Sequence, residues 1–177
     1  MKIDAINASI IDAPADALIV NLFEGVTAPG GATGAVDKAL GGMISELISS
    51  GEATGKLMET TLLHTCGRIA PKRVLIIGLG KSRDFDLSAV RKVSGAAVRF
   101  LRDKGVKSVT SIVHGAGIGG HDVEAAAQAV VEGTIIGLYR ATLYKTNQSP
   151  QNELESFAIV EQDASRLPAI ENAIHQG

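Results

Sequence analysis

Glycine gathers at three strand-to-helix junctions of this sequence, and those turns carry most of its capacity for chemistry. Backbone N–H groups that curl through a turn and open a helix hold anions. The first turn spans residues 25–34 and contains Gly30, Gly31 and Gly34. It leads from an apolar run holding Asn21 and Phe23 into a helix N-terminus, where unpaired N–H groups and the helix dipole favour negative charge. It is the most interesting of the three as a ligand site. The plain alternative is that Pro29, Gly30 and Gly31 merely make the turn.

The second turn, Gly78, Gly80, Lys81 and Ser82, invites comparison with the phosphate loop GxxxxGK[ST]. The first glycine of that motif falls on Leu75, inside a strand, and the following helix starts late, near Asp86. A simple strand-to-helix turn is the expected reading. The third turn, Gly115, Gly117 and Gly120, fits GxGxxG. It comes late in the chain, however, and Arg140 stands where a dinucleotide site needs an acidic residue about 20 positions on.

The four histidines are His64, His114, His121 and His175, and no pair has HExxH or HxxxH spacing. His64 and Cys66 can share a strand face, but no orienting third group lies nearby, so hydrogen-bonded or partly exposed histidines are expected. Asp84 with Asp86, and Glu153 with Glu155, read as loop and surface charges. There is no GxSxG. No catalytic residue and no metal ligand is assigned.

Composition limits the partners. The 17 basic and 19 acidic side chains leave a net charge of −2, which supplies no broad attraction to nucleic acid or to anionic membranes. The lone Cys66 rules out an internal disulfide and a multi-cysteine zinc site. No apolar run approaches the ~20 residues of a membrane span. Residues 1–9 lack the apolar centre of a secretory signal, so the cytosol is the expected compartment.

The elements that must position the turns follow from apolar patterning. Strands are expected at Lys2–Ile10, Ala17–Phe23, Thr60–His64, Arg73–Leu79, Ser108–His114 and Phe157–Val160. ALIVNLF and RVLIIGL are near-continuous apolar runs, the mark of strands buried on both faces. The stripe Val36, Ala39, Leu40, Met43, Ile44, Leu47 and Ile48 predicts one helix ending at Gly51. Asp86 and Asp122 are expected to cap two long helices. In the second of these, Thr134 is the only polar member of the apolar side. Residues 167–175 read as a last helix with little left to pack against. Alternating strands and helices predict an α/β fold with a mixed or parallel sheet between helical layers.

Three stretches together resemble the N-terminal domain of the leucyl (cytosol) aminopeptidases. They are DALIVNLFEG leading into AVDKALGGMISELISSGEATGK; ETTLLHTCGRIAPKRVLIIGLGK followed by LSAVRKVSGAAVRFLRDKG; and VEGTIIGLYRATLYKTNQ. The pattern of glycines with Tyr139, Arg140, Tyr144 and Lys145 makes the second and third fairly specific. Ala141 and Thr142 depart from the aromatic and acidic residues usual in the family. The resemblance implies a macro-domain-like, three-layer α/β/α sandwich with a mixed central sheet over residues 1–162, with residues 163–177 starting an interdomain linker helix. It also implies that peptide hydrolysis, by two divalent metals such as zinc or manganese, belongs to a C-terminal domain. The NTDAEGR and GKGxTFD motifs of that domain do not occur here, so no cofactor is expected in this chain. The implied partners are further copies of the chain and the catalytic domain itself, and the implied role is oligomer assembly or control of active-site access.

ALIVN (Ala17–Asn21) and PGGATGAV (Pro29–Val36) are also similar to the ADP-ribose-binding macro domains. In that alternative, Asp16 holds an adenine amino group, Asn21 ends the binding strand, and the N–H groups around Gly30, Gly31 and Gly34 face the phosphates. The segment LFEGVTA replaces the usual Asn-rich one, and Glu24 puts negative charge beside them.

Overall fold

The two apolar runs become neighbouring interior strands of a six-stranded sheet, because a strand with no polar face can be satisfied only with helices on both sides. The computed structural model describes residues 1–116, 120–139 and 152–177. Its strands are β1 (Lys2–Asn7), β2 (Ala17–Phe23), β3 (Thr60–His64), β4 (Arg73–Gly80), β5 (Ser108–Ser111) and β6 (Ser156–Glu161). They lie in the order β1-β6-β5-β2-β4-β3. Every neighbouring pair is parallel except β3 with β4. The helices are α1 (Gly31–Ala39), α2 (Met43–Ser49), α3 (Leu87–Asp103), α4 (Val123–Leu138) and α5 (Leu167–Gln176).

Successive residues of β2 serve opposite cores. Leu18, Val20 and Leu22 meet Val36, Leu40 and Ile44 of the α1–α2 side. Ala17, Ile19 and Phe23 meet Val90, Val93, Val130 and Ile170 of the α3–α4–α5 side. The result is the three-layer α/β/α sandwich with a mixed sheet.

The stripe from Val36 to Ile48 is not one helix. Gly41 and Gly42 adopt φ of +72° and +87°, a left-handed conformation that glycine takes without penalty, and the chain turns there. Asp37 then caps the second helix, accepting from Ile44 N at 2.8 Å and Ser45 N at 3.0 Å. Both pieces keep their apolar side on the same core, which is why the spacing reads as continuous.

The last helix also departs from expectation. Ile170 and Ala173 of α5 are fully buried and belong to the larger core, so the helix is an integral layer element packed on α4 and β1. The long helices start as the sequence implies, with Asp86 accepting from Ala89 N at 2.7 Å and Asp122 from Ala125 N at 3.0 Å. The β5 strand is shorter than the 108–114 run. Thr134 is buried without a hydrogen-bond partner.

The pair α3–α4 is held unusually close by glycine. A Cβ on Gly133 would stand 2.4 Å from the Arg91 carbonyl oxygen, and one on Gly137 would stand 2.4 Å from the Gly95 Cα. No helix of the described residues is long and apolar enough to cross a membrane.

Candidate functional site

The C-terminal ends of parallel strands leave a crevice where loops diverge, and ligands of open α/β sheets bind there. Here the crevice is a cleft of about 390 Å³. The β2 strand contributes Asn21 and Phe23, and the start of α1 contributes Gly30, Gly31, Ala32 and Thr33. Ala8 and Ile10 arrive after β1, Ile112, Val113, Gly115 and Ala116 after β5, Glu161 at the end of β6, and Gln162 and Arg166 beyond it.

The first sequence candidate, the 25–34 turn, therefore lines this cleft. Gly30 occupies the N-cap of α1 in an extended conformation with no side-chain cap, and the first turn carries no acidic residue. The first helical backbone bond runs from Gly34 N to Gly30 O at 3.0 Å, which leaves the N–H groups of Gly31, Ala32 and Thr33 without helical acceptors. Gly31 has φ of +54°. Gly34 does not line the cleft. A Cβ there would lie 2.6 Å from the Pro29 carbonyl oxygen, so this glycine lets the loop fold over the helix. Thr33 donates to the Asn21 carbonyl at 2.8 Å, tying α1 to β2.

Asn21 and Asp16 are not brought together. Asp16 precedes β2 at the opposite end of the sheet and is absent from the cleft lining. Its carboxylate accepts from Lys72 Nζ at 2.8 Å and from the backbone N–H groups of Lys107 and Ser108, both at 3.2 Å. The Lys72 hydrogen bond, helped by those two N–H groups, holds its pKa below the ordinary 3.8. An adenine contact by Asp16 does not fit this placement. Ala8 and Ile10, after β1, line the cleft instead.

Asp16 is a staple between β2 and β5, and its stabilisation has a defined sign. A lowered carboxylate pKa gives stability that is full above 3.8 and is lost as the pH falls through the folded value. Asp16→Asn is expected to cost about 1–2 kcal/mol at pH 7. Urea unfolding at pH 7 and at pH 2.5 checks this. A gap between variant and wild type that does not shrink in acid would show that the charge is not responsible.

His114, one of the four histidines expected to be hydrogen-bonded or partly exposed, stands directly behind the cleft, which its spacing does not signal. It is fully buried, and its Nδ1 lies 3.2 Å from Asn21 Nδ2, while its Nε2 lies 3.3 Å from Ser111 Oγ. Burial lowers the imidazole to about 4, so the ring is neutral at pH 7. It is a hydrogen-bonded histidine, and its partner is the one polar residue of β2, 93 positions away. No local pattern signals such a pairing. The cleft residues after β1 and β6 are equally remote from the 25–34 turn in sequence.

The remaining candidates have structural occupations. Gly78 is a packing glycine, since a Cβ there would fall 1.8 Å from the Lys56 carbonyl oxygen. At the third turn, Gly115 lines the cleft and a Cβ would meet Phe85 at 2.9 Å and His121 at 3.1 Å. Gly117 lies outside the described residues. His64 and Cys66 are both exposed, and the Cys66 thiol faces the His64 carbonyl at 3.9 Å rather than its ring. Among the described residues, no three His, Cys, Asp or Glu side chains are placed to hold a metal ion.

A parallel-rich sheet with a cleft over α1 defines the fold class of the macrodomains. A Trypanosoma brucei macrodomain solved in complex with ADP-ribose matches 97% of this chain and 68% of its own, with a TM-score of 0.73 at 15% identity. A solved mutant of tomato leucine aminopeptidase matches 99% of this chain with a TM-score of 0.76 at 19% identity, and the match covers 35% of that chain. The description "Cytosol aminopeptidase family, N-terminal domain" fits residues 19–148. A "Probable cytosol aminopeptidase" of Alkaliphilus metalliredigens is 33% identical across the whole chain. The chain belongs to the cytosol aminopeptidase family, as its N-terminal domain. It spans 36% of that relative's length. The family-specific Arg140, Tyr144 and Lys145, and the departures Ala141 and Thr142, lie outside the described residues. Tyr139 is 78% exposed.

Proposed function

We propose that this chain is a non-catalytic domain of a leucyl-aminopeptidase-like metallopeptidase, acting in the cytoplasm in oligomer assembly or in controlling access to the active sites. The observation that carries the reading is family membership across residues 19–148 in a chain that spans about a third of its relative's length. The exposed apolar cluster at the end of α4 supports a contact role. Ile135 is 43%, Ile136 66% and Tyr139 78% exposed, which is unusual for large apolar side chains on one helix end. Its partners are a second copy or the catalytic domain.

Two measurements test this. Hydrolysis of leucyl-anilide by the purified chain, with manganese or zinc added, is expected to stay at the buffer rate. A robust metal-dependent rate would overturn the non-catalytic assignment. Light scattering on the chain and on Ile136→Asp is expected to show association that the variant weakens. A monomer in both cases would remove the assembly role in favour of access control.

A second reading rests on the cleft. The uncapped α1 N-terminus, the glycines around it and Asn21 suit a ligand that combines hydroxyl and phosphate groups, such as ADP-ribose. Titration calorimetry decides it. Heat of binding at sub-millimolar ADP-ribose supports it, and no heat at millimolar ligand removes it.

A further inference from the structure

Asn21, His114 and Ser111 form a chain of hydrogen bonds whose direction can be worked out from its far end. Ser111 Oγ donates its single proton to the Ile112 carbonyl at 3.0 Å. Toward His114 Nε2, at 3.3 Å, the hydroxyl can therefore only accept, so Nε2 carries the ring proton. A neutral imidazole with a proton on Nε2 has a bare Nδ1. The Asn21 group 3.2 Å away must then be the NH2, donating to it. The reverse amide orientation would place two acceptors against each other in a buried site, which costs the desolvation of both.

Fixing the NH2 fixes the other half of the amide. Asn21 is the half-buried polar member of an otherwise buried strand, and it lines the cleft. Its Oδ1 takes no hydrogen bond from the described residues. The cleft thus offers an acceptor on the β2 side and unpaired N–H donors at the start of α1.

We propose that His114 is a positioning residue, which holds the Asn21 carbonyl oxygen available to the cleft so that it selects ligands presenting a hydroxyl group beside an anionic one. The selection half rests on the second reading above, that the cleft binds such a ligand. The positioning half stands on the hydrogen-bond chain alone. Nothing in the proposal needs His114 to touch the ligand, and it does not line the cleft.

The experiment has two arms. Long-range 15N–1H NMR of the chain reads the His114 tautomer without ligand. A proton on Nε2 with Nδ1 bare is expected, and a ring protonated on Nδ1 overturns the positioning role whether or not anything binds. Calorimetry then compares ADP-ribose with inorganic pyrophosphate, which has the anion but no sugar hydroxyl. His114→Gln and Asn21→Ala are each expected to weaken ADP-ribose about tenfold, the worth of one buried hydrogen bond, and to leave pyrophosphate unchanged.

Should His114→Gln fail to fold, Ser111→Ala tests the same chain from its far end. It is expected to scramble the tautomer signature and to weaken ADP-ribose alone. An equal loss for both probes would mean general damage to the cleft and would overturn selection through Asn21. A wild-type chain that binds neither probe would remove the ligand reading, and the tautomer would still decide the positioning role.

Discussion

Gly133→Ala is expected to destabilise the domain by about 3 kcal/mol, although the same change in an exposed helix stabilises by about 1 kcal/mol through propensity. The reversal comes from the α3–α4 contact. A methyl group at 133 would sit 2.4 Å from the Arg91 carbonyl oxygen, 2.8 Å from its Cα and 2.9 Å from its carbonyl carbon. Those are backbone atoms of α3, with no rotamer to give way. Relief requires the two helices to separate, which opens the seam around Val93, Ala97, Ala126 and Val130. Gly137 stands one turn on, against Gly95, so separation at one glycine loosens the other contact.

For a domain of this size the expected loss corresponds to a Tm lower by about 6–12 °C. Thermal melts of wild type, Gly133→Ala and Gly137→Ala check it. A Gly133→Ala protein as stable as wild type would show that the helices separate at no cost, and the close-packed seam would then contribute nothing.

The second large effect is a loss of stability in mild acid. His114 is buried, its folded value is about 4, and the ordinary histidine value is 6.5. For a base whose folded pKa is depressed, the unfolded chain binds the proton more readily. Stability is therefore full above pH 6.5 and declines as the pH falls from there toward 4. Between pH 7.5 and pH 5 the decline is expected to be about 2 kcal/mol, and about 3 kcal/mol by pH 4. Protonation would also turn Nδ1 from acceptor to donor against the Asn21 NH2, so the cost falls on the cleft as well as the core. Urea midpoints at pH 7.5 and pH 5 measure this. His114→Gln is expected to lose most of the slope, and a slope that survives in the variant would assign the acid sensitivity elsewhere.

The framework of the fold is readable in the sequence where the physics is local. ALIVNLF and RVLIIGL can be satisfied only between two helical layers, and they are neighbouring interior strands. Asp86 and Asp122 cap helices because a carboxylate three residues before a free N–H has a partner within one turn. The α1–α2 break was hidden for the opposite reason. Gly41 and Gly42 turn the chain, yet the apolar stripe on either side faces one core, and periodicity reports the core rather than the axis. The partners of the tail helix are not legible in the sequence because α4 and β1 lie far back in the chain.

The site divides the same way. The 25–34 turn is visible as glycine before a helix, and it does line the cleft. Asp16 drew attention by adjacency to the strand, but a strand has two ends, and a carboxylate five residues from Asn21 sits at the other one. His114, Ile10 and Arg166 reach the site only through the order of strands in the sheet, and single-residue spacing carries no trace of that order.

That order has a further consequence for how the molecule is assembled. The β1 strand touches only β6 in the sheet, with Lys2 beside Ser156 and Asn7 beside Glu161. During synthesis β1 therefore has no partner in the sheet until β6 has been made, and the seam at that edge closes only when the two strands meet. Long-range closure of this kind is slow, and waiting strands are prone to stray pairing. Alternating charge limits that hazard, since Lys2 and Asp4 keep one side of the waiting strand polar and bridge each other at 2.9 Å.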